Sequence, residues 1–145
     1  MQTKIAMTFK TKSRYFDEGS GECFDELESV ASGCLMLGDR GNRILYREKG
    51  EHGAETLTEL DFSQKDELKL KKSGEAKYEL TFKENCSHSF VYYAPPLTFD
   101  GEVFTHSIKN SMCILGGNIT VEYSMDMGGH KQRVSISIDA EANAK

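Results

Sequence analysis

Across residues 4–11 the apolar Ile5, Met7 and Phe9 fall on odd positions, with Lys4, Thr8 and Lys10 between them. That two-residue period is the mark of a strand with one buried face. Residues 17–22 read as a turn by composition. The next stretch is ambiguous: Phe24, Leu27, Val30, Ala31 and Cys34 suit a helical stripe capped by Ser20. They equally suit a long irregular strand running through Gly33 into Leu35 and Leu37, with a bulge near Ser32 and Gly33.

From residue 43 the alternation is clearer. Ile44, Tyr46 and Glu48 share one phase against Arg43, Leu45 and Arg47, after a turn at residues 38–42 and before another at residues 50–53. Residues 55–62 have the Thr/Leu mixture of a sheet. Residues 63–66 lead into a strand in which Leu68, Leu70 and Lys72 share a face, so a charged end lies at a rim or inside. Ser73, Gly74 and Glu75 turn it onto residues 77–83, whose Tyr78, Leu80 and Phe82 form an apolar face.

In residues 88–94, Phe90 and Tyr92 lie opposite Val91 and Tyr93, so both faces are expected to be covered. Pro95 and Pro96, which cannot donate to a ladder, end that strand. Phe99, Asp100 and Gly101 read as a turn into residues 102–109. Finally Ile119, Val121, Tyr123 and Met125 are answered, across Gly128 and Gly129, by Val134, Ile136 and Ile138, and residues 140–145 are expected to fray.

The sum is roughly eight to ten short strands joined by hairpin-length turns, with at most one short helix, the signature of an all-β sandwich or barrel. Closure removes exposed edges, so an antiparallel up-and-down barrel is favoured.

Composition narrows the use of such a barrel. With 145 residues, 38% hydrophobic and 28% charged, the chain fits one domain over residues 1–145. A net charge of −5 argues against a nucleic-acid partner, which calls for a concentrated positive field. The basic run Lys69, Lys71, Lys72 reads as a solvated, edge-protecting strand face. No stretch approaches the ~18 apolar residues of a membrane helix, and the polar N-terminal twelve lack a signal-type apolar core, so a cytoplasmic location is expected. Cys23, Cys34, Cys86 and Cys113 are irregularly spaced and read as reduced thiols in mostly buried or half-buried strand positions.

The spaced elements Gly33, Leu45-Tyr46-x-Glu48, Thr56-x-Thr58, Leu68-x-Leu70-x-Lys72-x-Gly74, Leu80-x-Phe82 and Gly117-x-Ile119-x-Val121-x-Tyr123 resemble the bacterial YwiB-like family. These are small proteins of unknown function with a calycin-like (lipocalin-like) β-barrel. The resemblance runs from about Ile5 to Ile138. It implies the fold, favours strand over helix for residues 23–33, and carries no activity. Lys72 stands where the family usually has arginine, which would lose a bidentate fork. Ala94-Pro95-Pro96-Leu97 replaces the family's Thr-Pro-aromatic-Gly turn.

Chemistry-bearing motifs are sparse. His52, His88, His106 and His130 are scattered, and Cys86-x-His88 lacks further ligands at familiar spacing, so neither metal nor cofactor is expected. No serine sits in a Gly-x-Ser-x-Gly elbow, and Cys113 reads as an inert buried thiol. The glycine pairs at 116–117 and 128–129 suit hairpins better than phosphate cradles.

What stands out is inward-phased polarity. Glu48 and Lys72 are expected to pair across the barrel mouth near Tyr46, Thr56 and Thr58, with Tyr123 on the same face, as the polar end of a small-molecule site. A structural ion pair is the simpler alternative. The expectation is thus a non-enzymatic barrel enclosing a small, partly apolar molecule. The other reading is a structural or interaction module filled by Phe82, Tyr92, Tyr123 and Met125, with self-association left open. Interior volume separates them.

Overall fold

The computed structural model describes residues 2–39, 41–49, 54–64 and 66–143. Ten strands follow one another: β1 (Gln2–Asp17), β2 (Cys23–Gly38), β3 (Arg43–Lys49), β4 (Glu55–Asp61), β5 (Glu67–Ser73), β6 (Lys77–Lys83), β7 (Ser87–Ala94), β8 (Leu97–Asn110), β9 (Gly116–Met127) and β10 (His130–Ala142). Each pairs antiparallel with its neighbour in sequence, and β1 pairs with both β2 and β10, closing a ten-strand barrel. Among the described residues there is no helix.

The inward phase of each strand builds the core. Met7, Phe9, Leu35, Ile44, Leu80, Phe82, Val103 and Val134 are essentially inaccessible to solvent. Burying such a side chain is worth about 1.5–3 kcal/mol, so this belt supplies the main driving force for closure.

The segment that read as helix or strand is β2, a strand as the resemblance implied. The first half of its apparent helical stripe is unburied: Phe24, Leu27 and Val30 are 57%, 55% and 67% exposed, and only Ala31 reaches the core. A helix there would have nothing to pack on. The irregularity expected at Ser32 and Gly33 lies instead between Tyr15 and Phe16, opposite residues 23–25. Gly33 serves close approach rather than a bulge. A Cβ there would stand 2.7 Å from Tyr46 Cβ and run into the Leu45 carbonyl, so its absence lets β2 and β3 cross closely. Their ladder covers only Gly33–Met36 against Arg43–Tyr46.

Other expectations need correction. Phe99, Asp100 and Gly101 are not a turn but part of β8, and the β7–β8 reversal is made by Pro95 and Pro96. Gly101 leaves room for the Phe90 ring. Only one face of β7 is covered, because Val91 and Tyr93 on the other are 52% and 45% exposed. All four cysteines are free, but Cys23 and Cys113 are exposed rather than buried. Cys113 sits in the β8–β9 connection beside exposed Ile114 and Leu115. The C-terminal segment does not fray at residue 140: Ala140 pairs with Phe9, and the Asn143 N–H donates to the Ala6 carbonyl at 3.0 Å. The turn expected at residues 50–53, His52 included, and Arg40 and Lys65 of two others lie outside the described residues.

Candidate functional site

At the end of the barrel where β1–β2, β5–β6 and β7–β8 reverse, the inward side chains change from apolar to hydroxyl-bearing. Register sets the arrangement. Tyr46 is the cross-strand partner of Gly33 on one side and Thr58 on the other; Thr58 is partner to Lys72, and Lys72 to Tyr78. Glu48 lies two residues beyond Tyr46, one step nearer the mouth. Along β1 the inward positions after Phe9 are Thr11, Ser13 and Tyr15, opposite Ser29, Leu27 and Asp25 of β2.

These residues converge on the Glu48 carboxylate. Thr58 donates to its Oε1 at 3.0 Å, Ser29 donates to its Oε2 at 2.7 Å, and Lys72 Nζ stands 3.5 Å from Oε1. Ser29 spends its proton on Glu48, so in its own hydrogen bond with Thr11 it accepts. The carboxylate therefore links β2, β4 and β5 to β3, and through Ser29 to Thr11 of β1, in the stretch where the β2–β3 ladder has ended. Two hydroxyl protons point at it, so both carboxylate oxygens serve as acceptors.

A cavity of about 110 Å³ opens beside this group, lined by Thr11, Ser13, Tyr15, Ser29, Tyr46, Glu48 and Lys72, with Leu27, Glu28, Leu70, Ile136 and Ile138 as further walls. Burial pushes the Tyr46 and Tyr78 phenols well above their ordinary pKa, and the Glu48 charge adds to both shifts. Burial also raises Tyr15, against a hydrogen bond with Ser13 that lowers it, and raises Tyr123 strongly. At neutral pH these phenols keep their protons and serve as neutral hydrogen-bonding groups, not as bases or nucleophiles.

Of the six residues singled out from the sequence, Tyr46, Glu48 and Lys72 line the cavity, and Thr58 holds Glu48 from a fully buried position. Thr56 faces Glu48 across β3–β4, against Gly74 at the outer end of the row. Tyr123 belongs to the core: it is 3% exposed and its ring centroid lies 4.8 Å from that of Phe82. Thr11, Ser13, Tyr15 and Ser29 were missed. Continuing the odd-position phase of β1 past Thr11 would have found the first three, but Ser29 depends on the β1–β2 register.

A second polar group lies on the outer wall. Ser124 Oγ is 2.7 Å from His106 Nε2 and donates to Glu18 at 3.1 Å. Because the serine proton goes to the carboxylate, the imidazole donates to the hydroxyl instead of activating it, the reverse of a nucleophilic serine pair. Among the described residues no three His, Cys, Asp or Glu side chains are grouped to hold a metal. No helix among them is long and apolar enough to cross a membrane.

Fold and site together define a class: a closed, ten-strand antiparallel barrel with an apolar belt and a small polar mouth. Residues 7–138 match the family described as Domain of unknown function (DUF1934), and the chain belongs to that family. It is also similar in structure to the YwiB protein from Bacillus subtilis, whose crystal structure superposes with a TM-score of 0.82 at 20% identity, over 97% of this chain and 94% of that one. At that identity the likeness shows the shared fold, as the spaced motifs had implied. No curated protein matches the chain.

Proposed function

We propose that this barrel is a non-enzymatic binding protein for a small, partly apolar molecule that inserts one polar group into the mouth. The observation that carries the reading is the cavity beside Glu48, where hydroxyls and an ion pair meet the apolar walls of Leu27, Leu70, Ile136 and Ile138. Its ~110 Å³ is well below the roughly 300–1,000 Å³ of sites that enclose a drug-sized ligand. A head group enters and the apolar remainder stays at the rim, where Phe24 and Leu27 are exposed. The site is thus the mouth, not a hollow interior, since the belt below is filled by side chains. Four free thiols agree with a reducing, cytoplasmic setting for a calycin-like barrel.

The filled belt also favours a second reading, a module that acts through its outer surface or by self-association. Titration of the 15N-labelled protein with a library of small fragments distinguishes the two. The binding reading expects amide shifts clustered at Ser13, Tyr15, Leu27, Ser29 and Tyr46. Shifts confined to the outer face around Val91 and Tyr93, or concentration-dependent dimerisation without fragment shifts, would support the module and overturn the binding reading.

A further inference from the structure

Among the described residues lining the mouth, Lys72 is the one formal cation, and it is held more loosely than the Glu48 carboxylate it faces. Lys72 Nζ is 3.5 Å from Glu48 Oε1, longer than the roughly 2.7–2.9 Å of a tight charge-assisted bond. Its side chain is 29% exposed, and a four-carbon stem lets the ammonium swing to solvent. Glu48, by contrast, is held in place by Ser29 and Thr58. Those hydroxyls position the carboxylate without neutralising it. Asp25 lies on the inward face opposite Tyr15, whereas Glu28 is outward in phase and borders the cavity only from its outer side. The nearby cation Lys12 is paired with Glu26 at 3.1 Å and Glu28 at 3.4 Å.

We infer that the polar group taken up at the mouth is a cation, a primary ammonium or similarly compact amine, which replaces the Lys72 ammonium on Glu48 and lies against the rings of Tyr15 and Tyr46. This rests on the mouth being a binding site. Lys72 already demonstrates that an ammonium fits beside Oε1. Tyr15 and Tyr46 line the same cavity, Tyr78 is the cross-strand neighbour of Lys72, and aromatic faces attract cations through their ring quadrupole. Burial raises the phenols of Tyr15, Tyr46 and Tyr78, with the nearby Glu48 carboxylate adding to each shift, so around the carboxylate they stay neutral. An anionic head would have to draw Lys72 away from Glu48 and then sit beside that fixed carboxylate, a like-charge contact.

The test is a matched series, butylammonium, butanol and butyrate, titrated at low salt into the wild type, Glu48→Gln and Lys72→Ala and followed by 15N amide shifts. Butylammonium is expected to shift the mouth resonances of Ser13, Tyr15, Leu27 and Ser29 in the wild type. Lys72→Ala, which removes the internal competitor, should bind it several-fold more tightly and also gain thermal stability on its addition. Glu48→Gln should lose the response. If butanol or butyrate binds at the mouth as well as butylammonium does, the cation inference falls while the mouth remains a binding site. Should none of the three perturb the mouth in either the wild type or Lys72→Ala, both fail. Lys72→Ala alters only a partly exposed side chain, so the result stands even if Glu48→Gln does not fold.

Discussion

The belt and the mouth of this barrel are built on the same strands by the same alternation, yet they do opposite things. Along β1 the inward residues run Met7, Phe9, then Thr11, Ser13 and Tyr15; along β3 they run Ile44 and Tyr46, then Glu48. Backbone geometry fixes only which way each side chain points. Its chemistry decides whether that position contributes to closure or to a site. In the belt, apolar side chains pack with almost no accessible surface. At the mouth, polar groups are brought inside and hydrogen-bond one another around one carboxylate, which costs desolvation unless every partner is made.

The comparison can be broken most strongly in the belt. Phe82→Ala removes a ring that is 1% exposed and packs on Tyr123, and should cost about 3–5 kcal/mol in urea unfolding. Gly33→Ala should cost about 1–3 kcal/mol or more by overpacking, because its methyl meets Leu45 and Tyr46; amide exchange should show the β2–β3 ladder loosening first.

Alkaline titration separates the regions differently. Tyr15, Tyr46, Tyr78 and Tyr123 have pKa values raised in the fold, so above the ordinary phenol value the unfolded chain loses these protons before the native state does. Native stability is accordingly unaffected by these groups below about pH 10 and falls above it, by up to about 1.4 kcal/mol per pH unit per tyrosine. Unfolding followed by tyrosinate absorbance checks the onset. The smallest effect is expected for Lys72→Ala, about 0–1 kcal/mol, since its pair with Glu48 is long and partly solvated. A loss several times larger in thermal unfolding would make Lys72 structural.

Much of the belt, and the inward phase of Glu48, Thr58 and Lys72, was legible in the sequence because each lies in a short strand of strict alternation. The rest depended on information that periodicity does not carry. Phe99, Asp100 and Gly101 have turn-like composition, but the proline pair just before them makes the reversal, and Gly101 serves the Phe90 ring. In β2 the spacing of Phe24, Leu27 and Val30 imitates a helix because a bulge near Tyr15 and the exposed rim relax the usual inside–outside contrast. Ser29 joins the site through its partner Thr11, a pairing only long-range register reveals. Tyr123 was given the right phase but the wrong depth: its face is inward, and the Phe82 ring packs against it.

Cation uptake at the mouth is tested most directly by a crystal structure of the protein soaked with butylammonium. The amine nitrogen is expected at hydrogen-bond distance from Glu48 Oε1, with Lys72 turned to solvent and Ser29 and Thr58 still donating to the carboxylate. An unchanged Lys72–Glu48 pair with the mouth empty of amine would contradict it.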